Sequence, residues 1–150
     1  MSKRHKAREI ALQGIYQYDI GDSDLADILK FDWVNKKNIP VEILLFAEEL
    51  ITGTLKQITL IDEVIKENLA HWEFDKISPI DRNILRFSVF SFIYQKEIPF
   101  IVVINEAIDI ARKFGGVNSY RFINGVLDGI WKKIDSGKYV TEFNDTNTGS

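Results

Sequence analysis

The sequence predicts an all-α protein, and three observations carry that prediction. Apolar residues recur at steps of three and four along almost the whole chain, which is the period of one helical face. No alternating apolar–polar run of more than a few residues is present to make a half-buried strand. Helix punctuation falls where the periodic segments begin or end, at Ser78-Pro79, Gly115-Gly116 and Gly137. About seven helices in two small helical-bundle subdomains are expected.

The first helix is expected from about Lys3 to Ile20, stopping before Gly21, with Ile10, Ala11, Ile15 and Tyr18 as its apolar run. Ser23 and Asp24 can cap a short second helix through Leu25, Ile28 and Leu29, and Asn35–Pro40 reads as a loop. From Val41 to Leu69 the apolar positions 44, 47, 51, 55, 58, 61, 65 and 69 form one face. Thr52-Gly53-Thr54 interrupts it and predicts a break there between two consecutive helices. After a junction at Glu73–Ile77, Ser78-Pro79-Ile80-Asp81 supplies a cap, a proline at the first helical position and an acid at the third. That helix buries Ile80, Ile84, Leu85, Val89, Phe92 and Ile93, and Pro99 separates it from the next. The following helix buries Ile104, Ala107, Ile108, Ala111 and Phe114, carries Arg112 and Lys113 in its last turn, and ends at Gly115-Gly116. The β-branched run Ile101–Ile104 resembles a strand but continues into this helical stripe. A last helix starts near Asn118-Ser119 and buries Ile123, Val126, Leu127, Ile130 and Ile134. Gly125 and Gly129 within it would admit a close backbone. Asn105 and Asn124, set in apolar helices, are expected to be buried and to tie helices together by hydrogen bonds.

One domain is expected over residues 1–137, with an N-terminal subdomain over about 3–72 and a C-terminal one over about 78–137. Residues 138–150, KYVTEFNDTNTGS, lack periodicity and read as a disordered tail.

Composition excludes several classes of function. The chain has no cysteine, so it has neither disulfides nor thiolate metal sites. Its two histidines, His5 and His71, are too few for a histidine-rich metal site. No apolar run reaches the ~20 residues that span a bilayer, and polar residues interrupt any signal-peptide core, so no membrane contact is expected and the cytoplasm is the expected compartment. No G-x-S-x-G, H-E-x-x-H, P-loop or G-x-G-x-x-G motif occurs; neither an enzyme nor a cofactor is indicated. Glu48-Glu49 and Asp62-Glu63 read as solvated acid pairs, and His71 as structural.

The net charge of −3 is unevenly spread. Residues 1–8 hold four basic side chains and no acid, residues 9–75 have a net charge of −9, and residues 76–150 a net charge of +2. A basic arm on an acidic body signals an anionic partner. Lys3, Arg4, Lys6 and Arg8, with His5 among them, crowd the positive end of a helix dipole, a placement that becomes favourable against nucleic-acid phosphates. At the other end of the chain, Asn118–Phe122 joins a helix N-terminus to Arg121 and two aromatics. Spacing alone leaves Phe122 as either a core residue or a base-stacking platform.

Several stretches in order resemble the NusB family of transcription antitermination factors. AREIALQGIYQYD (7–19) matches that family's A-R-x-x-A-[LV]-Q-x-L-Y pattern. DRNILR (81–86), Pro99, INEAIDIARKFG (104–115) and S-x-x-FINGVLD (119–128) follow at its spacing. The resemblance implies an all-helical protein of two subdomains without a catalytic site. It further implies pairing with the ribosomal protein NusE, binding of single-stranded boxA RNA, and work with other Nus factors and RNA polymerase in transcribing ribosomal RNA. On this basis Lys3, Arg4, His5, Lys6, Arg8, Tyr16, Asn118, Ser119, Arg121 and Phe122 are assigned to RNA. His5 and Lys6 stand where relatives commonly carry arginine. Asp81, Arg82 and Arg86 are assigned to NusE: Arg82 and Arg86, four apart, can share one exposed face, although a solvated surface or a pair with Glu106 explains them too. The rival readings are a homodimer or helical protein-interaction module without RNA binding, and an RNA-binding domain of a ribosomal RNA cytosine methyltransferase, for which the chain is too short.

Overall fold

The computed structural model describes residues 3–70 and 73–139. Among them are seven α-helices and no strand: α1 (Lys3–Asp19), α2 (Leu25–Ile28), α3 (Val41–Lys56), α4 (Ile58–Glu67), α5 (Pro79–Tyr94), α6 (Phe100–Phe114) and α7 (Ser119–Asp135). A single 3-10 turn at Phe74–Lys76 leads into α5. The all-α prediction therefore holds. His71 lies outside the described residues.

α5 starts as its sequence dictates. Ser78 Oγ accepts from the Asp81 amide at 3.2 Å, and Pro79 occupies the first helical position, where its missing N–H costs nothing. The burial of this helix is less legible in its spacing: every side chain from Asp81 to Ile93 is buried. α5 packs against α1, α3, α4, α6 and α7, and one hydrophobic cluster runs through all of these helices. Fully burying an Ile, Leu or Phe contributes roughly 1.5–3 kcal/mol, so this shared helix dominates the core. A helix enclosed on all sides must also pair its polar residues inside the protein.

That requirement corrects the reading of Arg82 and Arg86, which do not lie on an exposed face. Arg82 Nη2 donates to Asp19 Oδ2 at 2.6 Å, and its Nη1 to the Ile77 carbonyl at 3.3 Å. Arg86 forks onto Asp62, Nε to Oδ1 at 2.8 Å and Nη2 to Oδ2 at 2.9 Å, while its Nη1 reaches Asn83 Oδ1 at 2.9 Å. Neither pairs with Glu106, and Asp62 is a structural partner rather than part of a solvated acid pair. Burial alone would raise the Asp19 carboxyl. The hydrogen bond from Arg82 and the charges of Arg86 and Arg82 outweigh it and hold Asp19 below the usual carboxylate range.

The break between α3 and α4 falls at Gln57, not at Thr52–Thr54. Gly53 serves packing: a Cβ there would lie 2.2 Å from the Phe90 ring, so the glycine is the space into which α5 presses. Gly14 does the same between α1 and α3, where a Cβ would meet Ile51 Cδ1 at 2.7 Å. In α7, by contrast, a Cβ on Gly125 would meet nothing within 4 Å, so no backbone approaches it closely. Asn105 and Asn124 are exposed, not buried ties between helices. Asp24 precedes α2 without making a side-chain cap. Tyr18 and Phe114, read as apolar-face residues, are 41 % and 40 % exposed. Lys138 and Tyr139, assigned to a tail, form a turn in which the Tyr139 ring is buried and its hydroxyl donates to Glu67 Oε2 at 2.8 Å. The remainder of that expected tail, 140–150, lies outside the described residues.

Candidate nucleic-acid interface

The basic arm is the first turn of α1, and its helical period sorts its residues into two groups. Lys3, Arg4 and Lys6 are exposed, whereas His5 and Arg8 turn inward. The Arg4 guanidinium lies over the Phe46 ring of α3, 4.3 Å from its centroid, and Arg8 lies 5.4 Å from the same ring. Such cation–π contacts hold a guanidinium flat. Arg8 is only 3 % exposed and sits 3.8 Å from Glu106. Burial pulls its affinity for a proton down, and the Glu106 carboxylate partly restores it. His5 Nδ1 lies 2.5 Å from Glu106 Oε2, and its Nε2 lies 3.5 Å from Glu9 Oε2. Lys113 Nζ donates to Glu9 at 2.7 Å. Of the five arm residues assigned to RNA, His5 and Arg8 thus anchor α1 to α6, leaving Lys3, Arg4 and Lys6 facing outward. No carboxylate lies within 4.0 Å of these three among the described residues.

Further along α1, Tyr16 lines a groove of about 440 Å³ with Leu12, Gln13, Gln17, Trp33, Ile80 and Phe114. Phe114, Trp33 and Gln13 carry no functional signal in the sequence. Phe114 reads as core because it continues the α6 stripe, and only its position in the last turn before two glycines hints at exposure.

Asp81, assigned to NusE, and Asn118, Ser119 and Phe122, assigned to RNA, line one pocket of about 260 Å³ together with Lys76, Ile77 and Ser78. Its rear wall is built by the turn between α6 and α7. Ser119 Oγ accepts from the Gly116 amide at 2.8 Å and donates to Asp81 Oδ2 at 3.1 Å. A Cβ on Gly115 would lie 2.7 Å from Ser119, so this glycine permits the closure. Asp81 Oδ1 is buried and accepts no hydrogen bond. Burial raises the Asp81 carboxyl above its ordinary range, and the hydroxyls of Ser119 and Ser78 partly oppose the shift. Asn118 is exposed beside it, Phe122 is half-buried, and the two RNA and NusE assignments meet at this single pocket. Arg121 lies outside it, its Nε donating to Tyr120 Oη at 2.9 Å. Arg112 stacks over that same ring at 4.5 Å, giving a cationic stack that spacing alone does not reveal.

The described residues hold no cluster of three or more His, Cys, Asp or Glu able to bind a metal. No described helix is long and apolar enough to cross a membrane.

The sequence profile of the NusB family matches residues 5–132. The chain belongs to the NusB family. It is 44 % identical over 131 residues to the transcription antitermination protein NusB of Treponema denticola, covering 87 % of this chain and 96 % of that one. It is 37 % identical over 133 residues to NusB of Koribacter versatilis, covering 89 % and 91 %. Among solved structures, NusB of T. maritima superposes with a TM-score of 0.80 at 31 % identity, over 89 % of this chain and 93 % of that one. A structure of the antitermination factors NusB and NusE in complex with double-stranded RNA superposes with a TM-score of 0.79 at 28 % identity, over 88 % and 98 %. The chain thus has the NusB fold, in which Tyr16 of α1 and the α6–α7 turn both lie near the start of α5.

Proposed function

We propose that this protein is a cytoplasmic, RNA-binding transcription antitermination factor that pairs with NusE, binds boxA RNA, and supports processive transcription of ribosomal RNA with the other Nus factors and RNA polymerase. It acts by binding, without catalysis. The observation that carries the reading is the arm: Lys3, Arg4 and Lys6 point outward with no carboxylate partner among the described residues, and Arg4 is held flat by Phe46. Such a surface contacts phosphates and leaves a guanidinium plane for a base. Relatives named as antitermination proteins, and a neighbour solved with NusE and double-stranded RNA, support RNA and NusE as partners. Single-stranded RNA fits the exposed aromatic Tyr16 and the half-buried Phe122 better than a rigid duplex does, because unstacked bases can lie on their rings. Of the three residues assigned to NusE, Asp81 is the one that lines a pocket, where its buried carboxylate adds negative charge that favours a basic partner.

The test is a fluorescence-anisotropy titration of boxA RNA at several salt concentrations, with and without NusE. Arg4→Ala/Lys6→Ala should weaken binding and reduce the log–log salt slope by roughly 0.7 per lost phosphate contact. An unchanged slope rejects the arm as the RNA contact. Asp81→Lys should weaken NusE pairing more than RNA binding; because Asp81 shares its pocket with Ser119 and Phe122, thermal melts of the variant are measured beside both titrations.

The homodimer reading has one supporting observation. Phe100, Ile101 and Val102 are exposed at the start of α6, and Phe100 stacks on Trp131 with centroids 4.8 Å apart. Sedimentation of the free protein across a concentration series tests it.

A further inference from the structure

We propose that the loop between α2 and α3 is a second RNA-binding segment, forming with Lys6 a polar groove that holds the phosphodiester backbone beyond the basic arm. This inference rests on the RNA-binding reading above and adds a contact surface that neither the arm nor the α6–α7 turn supplies.

Residues 9–75 carry a net charge of −9, which conceals their one adjacent pair of lysines, Lys36-Lys37. Folding carries Lys37 of that pair to the arm. Lys6, Ile10, Gln13, Trp33, Asn35 and Lys37 line a cavity of about 400 Å³. Lys3, Lys6, Asn38 and Pro40 line a second of about 190 Å³. Lys6 and Ile39 border both, so the two form one depression between α1 and the loop. Gln13 and Trp33 also border the Tyr16 groove, so the track continues along α1 toward the start of α5.

The loop is built to hold this shape. The Trp33 indole donates to the Ile28 carbonyl at 3.0 Å, and Phe31 beneath it is buried. The Lys37 amide donates to Asn35 Oδ1 at 3.1 Å, and the Ile39 amide to the Lys36 carbonyl at 3.1 Å. Asn38 closes the turn at φ 66°, a conformation asparagine tolerates better than most residues. Lys36 Nζ donates to the Lys30 carbonyl at 3.1 Å.

Charge then decides what the groove attracts. Of the nearby acids, Asp27 holds Lys30 at 3.0 Å, while the exposed Asp24 and Asp32 line neither cavity. Lys36 and Lys37 are exposed with no carboxylate within 4.0 Å among the described residues, as are Lys3 and Lys6. Three lysines without such counter-charges, Lys3, Lys6 and Lys37, border the groove, with Lys36 next to it in the chain; together they form a site for a flexible polyanion, with Asn35, Asn38 and Gln13 placed to meet sugar and base edges. An acidic protein segment would satisfy the charges too. Continuity with the arm and with the Tyr16 groove favours RNA.

The experiment uses the full chain and a labelled single-stranded RNA carrying a boxA element, titrated by anisotropy between low and moderate salt. Lys36→Ala/Lys37→Ala is compared with Arg4→Ala and with a control of equal charge change, Lys132→Ala/Lys133→Ala, on the last turn of α7. Each lost phosphate contact should lower the salt slope by about 0.7, equivalent to about fivefold in affinity at 0.1 M salt. The loop variant should therefore lose about 5- to 25-fold and the control almost nothing. Thermal melts matching the parent show that the variants fold. If the parent and the control bind, Arg4→Ala weakens binding, and the loop variant binds like the control, the groove is refuted while the RNA reading stands. If the parent itself fails to bind RNA, the function proposed above falls, and this inference with it.

Discussion

Replacing Arg86 with alanine removes the side chain that joins α5 to both α1 and α4. The guanidinium makes two hydrogen bonds to Asp62 and one to Asn83, and its Nη1 lies 3.2 Å from Asp19. Burial works against its charge, but the hydrogen bonds and charges of Asp62 and Asp19 overcome that and raise its pKa above the usual arginine value. In the variant Asp19 keeps Arg82 and Asn83. Asp62 is stranded, because Arg86 is its one ion-pair partner among the described residues. Removing one member of a buried pair costs about 3–5 kcal/mol. The Asp62 side chain is 17 % exposed, so water can reach it and the lower end of that range applies. For a chain of this length, about 2–4 °C of Tm accompanies each kcal/mol, which gives a fall of roughly 6–12 °C for 3 kcal/mol. Urea melts followed by circular dichroism measure the loss. Asp62→Leu/Arg86→Met, which removes both charges, should recover most of it. The pH dependence is a second readout. Because Asp19 is held below the ordinary carboxylate range, its stabilisation is present above about pH 4 and is lost as pH falls through the folded value. The variant has already lost part of this network, so the difference from the parent should shrink in acid. A change within about 0.5 kcal/mol, the range of an ordinary surface substitution, would refute the burial argument and return Arg86 to the exposed face that its spacing suggested.

Gly53→Ala should destabilise despite improving helix propensity. Its Cβ would meet the Phe90 ring at 2.2 Å, and overpacking of about 1–3 kcal/mol exceeds a helical gain of about 1 kcal/mol; greater stability in urea melts would show that Phe90 moves freely. Asp81→Asn should be at least as stable as the parent at pH 7. A carboxyl raised by burial favours folding fully below its unfolded pKa and loses that contribution as pH rises through the folded value, so the two proteins should converge toward about pH 4, and a variant markedly weaker at pH 7 contradicts this. Phe122→Ala should cost about 1–3 kcal/mol of RNA binding if the ring stacks on a base. Its stability loss should stay below the roughly 3–5 kcal/mol of a fully buried phenylalanine, since the ring is only half-buried; parallel RNA titrations and urea melts separate the two effects.

Local sequence was enough to specify which segments are helical and where most of them start. Those features rest on local physics: the three-to-four spacing of Ile and Leu, the Ser78 cap with Pro79, and the glycines after α6. It was also enough to specify the family, because the matching stretches fall in order along the chain. Helical period alone, read one turn at a time, would have separated the outward Lys3, Arg4 and Lys6 from the inward His5 and Arg8, had the face of α1 that meets α6 been known. That face is a tertiary fact. So is the enclosure of α5, which turned Arg82 and Arg86 from surface candidates into internal partners of Asp19 and Asp62, residues 63 and 24 positions away in the hydrogen bonds that hold them. Gly53 looked like a helix break because its partner, Phe90, is remote in sequence. Tyr139 looked like tail because Glu67 and Asn68, which satisfy its hydroxyl, belong to α4 and the residue after it. Lys37 passed as part of an ordinary loop until folding set it on one cavity with Lys6. Period and capping act within a few residues and can be read from the chain. Burial, ion pairing and the gathering of like charges depend on which remote surfaces meet, and that is decided by the folded structure alone.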